Sequence, residues 1–161
     1  MSIKKTNKIF NTFSQKETQK LAGDILADLI KKSPKDMALV FALQGDLGSG
    51  KTTFTQGIAK ALGIKKRITS PTFVLMKKFK LPTPNYKLLT TDYKLFYHFD
   101  CYRLQKPEEI LELGFQEIIS NPKNIVVIEW PEKIKKFLPK QTVYLKFKFI
   151  TETQRKIKMS A

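Results

Sequence analysis

Gly45-Asp46-Leu47-Gly48-Ser49-Gly50-Lys51-Thr52 fits the phosphate-binding pattern G-x-x-x-x-G-K-[ST] at every fixed position. The residues on either side supply the context this motif needs. Met37 to Leu43 (MALVFAL) is a continuous apolar run of strand length, as expected of a strand covered on both faces in the middle of an α/β sheet. Behind the motif, Phe54, Ile58 and Leu62 recur at helical spacing, so a helix is expected from Lys51 to Leu62, stopped by Gly63. In a strand, glycine loop and helix so arranged, backbone N–H groups turn inward around phosphates and the helix N-terminus adds partial positive charge. Gly45 to Thr53 is therefore the candidate nucleotide-binding segment. Lys51 reaches for the β and γ phosphates, and the Thr52 hydroxyl is a Mg²⁺ ligand.

The base is expected to be adenine. Guanine-specific relatives carry an Asn/Thr-Lys-x-Asp segment, whereas here Asn7-Lys8 is followed by Ile9 and Phe10. A carboxylate at a neighbouring strand end is also required for the metal, and two are available. Glu129 ends the buried run Asn124 to Glu129 (NIVVIE), and Asp100 ends Tyr93 to Asp100. Strand ends are where the phosphates of such folds sit. Thr69-Ser70-Pro71-Thr72 follows the motif helix, where a switch segment could stand, although on local evidence a plain turn is the commoner reading. His98 reads as a satisfied strand residue or as a polar member of the site. Trp130 reads as core or helix-start packing, or as a nucleotide contact.

The rest of the chain is consistent with one α/β domain over residues 1–161, a mixed sheet with flanking helices. A strand is expected over residues 8–13, then a helix from the capping box Ser14-Gln15-Lys16-Glu17 to about Lys32. Phe73 to Lys80 and Tyr93 to Asp100 form an antiparallel hairpin around the turn at 81–92. Pro107 opens a helix, PEEILELGFQEIIS, and Pro131 to Leu138 is a short one. Thr142 to Ile150 alternates as a strand with one wet face. Residues 1–7 and 152–161 are expected to fray.

A hydrophobic content of 42% excludes a disordered chain, and no apolar stretch is long enough for a signal peptide or a membrane span. With Cys101 the only cysteine, no internal disulfide forms, and the expected address is the cytosol. The net charge of +16 suits nucleic acid or acidic partners. Only Arg67, Arg103 and Arg155 among the 30 basic residues are arginine, so lysine-rich coding drift is the favoured account of the charge over nucleic-acid contact. The scarcity of arginine argues against a small-molecule kinase, the main enzymatic alternative, because such kinases clamp the transferred phosphoryl with arginine pairs. The charge keeps a nucleotide-dependent RNA-binding module as the other alternative.

GDLGSGKTTFTQGIAKALGI, SPTF, HFDCYRL, EEILELGF and IEWPEKI, in this order, resemble the bacterial TsaE (YjeE) family over roughly residues 14 to 140. The resemblance implies an ATPase of tRNA threonylcarbamoyladenosine biosynthesis. It does not transfer the group itself; its ATP binding and hydrolysis act on the transferase subunits TsaD and TsaB, allowing repeated turnover on the adenosine beside the anticodon. By position the resemblance makes Thr52 and Glu129 the Mg²⁺ ligands, Ser70 and Thr72 switch-like hydroxyls, and Asp100 the carboxylate that supports hydrolysis beside Lys51. It also places adenine near Ser14 to Thr18. Two departures stand out: a longer stretch between Phe73 and His98, and Cys101 where the family has leucine.

Overall fold

A computed structural model describes residues 6–33, 35–71, 73–82 and 92–161. It contains a seven-stranded sheet in the order β1-β7-β6-β2-β5-β4-β3. The strands are β1 (Asn7–Thr12), β2 (Leu39–Gln44), β3 (Met76–Lys80), β4 (Leu95–Asp100), β5 (Asn124–Glu129), β6 (Val143–Phe149) and β7 (Arg155–Ser160). Strands β6, β2, β5 and β4 run parallel; β7 pairs antiparallel with β6 and β1 antiparallel with β7 at one side, and β3 pairs antiparallel with β4 at the other.

The apolar runs of β2 and β5 follow from burial on both faces. Leu39, Phe41 and Leu43 of β2, with Ile125 and Val127 of β5, face α1 (Gln15–Lys32) and α2 (Lys51–Ala61) in one core with Leu26, Phe54 and Ile58. The alternate residues Val40, Val126 and Ile128 join Phe99, Ile110, Phe115 and Ile134 in a second core under α3 (Phe115–Ser120) and two 3-10 helices, Pro107–Leu113 and Pro131–Phe137. A strand facing two cores has no wet side, hence no alternation.

Half of the expected capping box forms at the start of α1: Glu17 N–H donates to Ser14 Oγ at 3.1 Å, while the Glu17 carboxylate accepts from the N–H of Phe13, one residue before the cap, at 2.7 Å. The helix expected from Pro107 is instead two pieces, because Gly114 adopts a left-handed φ of 73° that ends the 3-10 segment and caps α3. The expected fraying of 152–161 is also corrected. Arg155–Ser160 is a strand hydrogen-bonded on both sides, its Ile157 and Met159 buried in the first core. Most of the turn expected at 81–92 lies outside the described residues. Among those described, no helix is long and apolar enough to cross a membrane.

Helices α1 and α2 touch at Gly57, where a Cβ would lie 2.4 Å from the Gln19 carbonyl oxygen and 2.6 Å from its Cα. Backbone cannot move aside as a side-chain tip can. Gly57→Ala is therefore expected to destabilise despite the roughly 1 kcal/mol that alanine gains over glycine in a helix. Overpacking of about 1–3 kcal/mol, at 2–4 °C per kcal/mol for a chain of this size, lowers the melting temperature by roughly 2–12 °C. A thermal melt showing equal or higher stability would contradict this helix contact.

Candidate functional site

The carboxyl ends of β2, β5 and β4 lie side by side, and Asp100 is the register partner of Glu129. The loop after β2 opens α2, whose first turn points at these ends. A cleft of about 770 Å³ results, lined by Leu47 to Thr53, Ser70, Asp100, Glu129 and Trp130, and closed at the far side by residues of α1 and β7.

The loop geometry depends on glycine. Gly45 has φ of 150°, and a Cβ there would meet Ser49 Oγ at 2.6 Å and the Phe147 carbonyl at 2.8 Å. Gly50, the N-cap of α2, has φ of 105° and caps with no side chain, so the first N–H groups of α2 face the cleft. Ser49 Oγ is buried without a hydrogen-bond partner.

Lys51 is buried at 4% exposure. Its ammonium donates to the carbonyls of Gly45 at 2.5 Å and Asp46 at 2.8 Å, and lies 4.5 Å from the Trp130 ring centre. Burial lowers its pKa from the usual lysine value, while Glu129 and Asp100 pull it back up. Gly45 and Asp46 thus meet the site through their carbonyls and do not line the cleft.

The Thr52 hydroxyl lies 3.1 Å and 3.3 Å from the two Glu129 carboxylate oxygens. On its other side Glu129 Oε1 meets His98 Nε2 at 2.9 Å. A carboxylate only accepts, so the proton sits on Nε2 and His98 acts as a donor that orients Glu129. The two readings of His98 therefore merge: it is a fully buried strand residue and it holds the site carboxylate. Asp100 is fixed by the Ser70 hydroxyl and by the Tyr102 N–H, which donates at 2.9 Å. Thr72 lies outside the described residues. Next to Asp100, Cys101 is fully buried in the second core, and burial pushes its thiol up to about 12.

Trp130 is half-buried, packs on the second core and also lines the cleft, 4.9 Å from the Tyr102 ring. Its φ of 57° is unusual for a bulky residue.

The far wall holds residues that sequence reasoning missed. Arg155 donates to the Gly48 carbonyl at 3.2 Å and to the Thr151 carbonyl at 2.6 Å, tying the β6–β7 turn to the phosphate loop. Glu152 and Thr153 of that turn join it in the lining. The alternation Ile157, Met159 against Lys156, Lys158 is the signal that could have revealed this strand. Ser14, Gln15 and Thr18 of α1 line the same wall.

The donor set fits Mg²⁺. Thr52, Glu129, Asp100 and Ser70 offer only hard oxygen atoms. Among the described residues no three His, Cys, Asp or Glu side chains gather as an all-protein cage. Mg²⁺ uses one or two carboxylates together with substrate phosphates and water, so such a cage is not needed.

The family model described as "Threonylcarbamoyl adenosine biosynthesis protein TsaE" matches residues 12–157. A Rickettsia felis protein named tRNA threonylcarbamoyladenosine biosynthesis protein TsaE is 40% identical over 88% of this chain and 73% of its own length. Proteins of the same name from Haemophilus influenzae (32% identical; 82% of this chain, 77% of theirs) and Bacillus subtilis (34%; 76% and 69%) are also similar. The crystal structure of Bacillus subtilis YdiB superposes with a TM-score of 0.67 at 26% identity, covering 99% of this chain and 88% of that one. The architecture is that of a P-loop NTPase-like fold. By its matched length and its curated relatives, the chain belongs to the TsaE family.

Proposed function

We propose that this chain is a Mg²⁺-dependent ATPase that serves tRNA threonylcarbamoyladenosine biosynthesis in the cytosol by acting on a TsaD–TsaB transferase pair. The observation that carries the proposal is the contact between the Thr52 hydroxyl, at the first turn of the phosphate-loop helix, and both oxygens of the strand-end Glu129.

Each residue then has a physical task. The Gly45 to Thr53 segment turns its N–H groups and the α2 N-terminus toward the phosphates. Lys51, already desolvated, supplies the positive charge against the β and γ phosphates. Thr52 and Glu129 hold the metal, with Glu129 kept in place by His98. Bound there, Mg²⁺ would neutralise charge on the β and γ oxygens. Asp100, steadied by Ser70 and the Tyr102 N–H, orients the attacking water and accepts its proton. Ser70, in the segment after α2, ties this carboxylate to a loop that can respond to the γ-phosphate. Trp130 packs over Lys51 and limits water at the ammonium. Adenine is directed to the wall formed by Ser14, Gln15 and Thr18.

The two arginines that line the cleft make other contacts. Arg155 is held by backbone carbonyls, and the Arg103 guanidinium lies 4.5 Å over the Phe73 ring. An absent arginine finger costs 10³ to 10⁵ in rate in other P-loop enzymes. Weak hydrolysis by the isolated chain is therefore expected, with clear stimulation by TsaD and TsaB and preferential complex formation with ATP. Phosphate release measured with and without the pair, at concentrations where binding is shown independently, tests this. Equal rates would sink the partner-dependent reading.

A further inference from the structure

The lysines of this chain are not distributed evenly. On α1 two of the four lysines pair with acids: Lys20 bonds Asp24 at 2.7 Å and Lys32 bonds Asp28 at 2.9 Å. Strands β1, β6 and β7 contain no acidic residue at all. One face of these three strands packs on α1 and α2 through Phe10, Leu145, Phe147, Ile157 and Met159. The opposite face carries Lys146 and Lys148 on β6 and Lys156 and Lys158 on β7, all exposed.

The register puts these lysines directly opposite one another, Lys146 with Lys158 and Lys148 with Lys156. Like charges facing across a ladder oppose the pairing that carries them. No ion pair among the described residues engages any of the four. Sheet geometry sets partners about 5 Å apart and the two rows about 7 Å apart. The result is a regular grid of four point charges, bordered by the half-buried Tyr144 and, on β1, by Asn11 and the exposed Ile9. All four are exposed on one open face, with no carboxylate on the three strands to neutralise them.

We propose that this face of β1, β7 and β6 binds the phosphate backbone of RNA. Lysine contacts phosphate as a point charge without reading sequence, and a regular grid suits a repeating anion. Among polyanions RNA is favoured because the chain's family is named for biosynthesis of a tRNA modification. None of the four lysines lines the nucleotide cleft, so the proposal stands apart from hydrolysis.

The test is fluorescence anisotropy of a labelled tRNA transcript, titrated with the full chain at several salt concentrations. K146Q/K148Q/K156Q/K158Q is compared with K65Q/K66Q/K106Q/K135Q, which removes the same charge from exposed sites elsewhere. The face variant is expected to lose at least about tenfold in affinity and to flatten the slope of log K against log salt by about 3. That slope change corresponds to four contacts at about 0.7 to 0.9 each. The control keeps most of both. Because it relieves repulsion, the face variant melts no lower than wild type. A second variant, K146E/K148E, places carboxylates opposite Lys158 and Lys156; it keeps the sheet paired and also loses tRNA. ATP hydrolysis is unchanged in all three. Equal losses in face and control variants, no tRNA binding by wild type, or stronger binding to phosphatidylserine vesicles than to tRNA would each overturn the proposal.

Discussion

Lys51→Ala is expected to abolish ATP hydrolysis and to weaken ATP binding strongly. Among the described residues, this ammonium is the one cation buried between the phosphate loop and the two strand-end carboxylates. It already lies desolvated against the Gly45 and Asp46 carbonyls. A preorganised charge in a site that excludes water interacts far more strongly with phosphate than one exposed to solvent. Losing a single preorganised donor costs about 10² to 10³ in rate, and a full positive charge costs no less. Titration of a fluorescent ATP analogue measures the binding loss, and phosphate release measures turnover. Unchanged affinity with unchanged turnover would remove the nucleotide-binding reading altogether.

Asp100→Ala is expected to lower turnover by about 10² to 10⁴ while leaving nucleotide affinity largely intact, as for a group that takes up a proton in the transition state. Glu129→Ala should act differently. Its carboxylate meets Thr52 on one side and His98 on the other, so its loss should shift the Mg²⁺ concentration needed for half-maximal activity. It also leaves the buried His98 N–H without its acceptor, at a stability cost of about 1–3 kcal/mol. Activity measured across a Mg²⁺ series separates the two mutants. If Asp100→Ala shifts the metal requirement and Glu129→Ala does not, the assignments of the two strand ends are reversed.

Local signals identified the parts of this fold that depend on short-range chemistry. The phosphate-loop motif, the uniform apolar runs of β2 and β5 and the capping box at Ser14 each state their own structure within a few residues. Where packing at a distance decides, the local signal is weak. Gly57 looks like a helix weakness until α1 is seen to press against it. Arg155 looks like part of a polar tail until β6 and β1 claim its strand from both sides. The helix expected across Gly114 failed because the apolar residues before and after it fall at helical spacing, while the left-handed glycine resets the chain direction between them. His98 could be placed on a strand from its neighbours, but its contact with Glu129 needs the parallel pairing of β4 and β5.

Trp130 is the only tryptophan in the chain, and its ring lies within 4.5 Å of the Lys51 ammonium. An indole so close to a cation emits according to where that cation sits. The ring also lines the cleft, so both a displaced ammonium and a bound nucleotide would alter its emission. The native protein therefore carries its own unlabelled optical gauge of phosphate-loop occupancy, readable in real time and inside a mixture of tryptophan-free components.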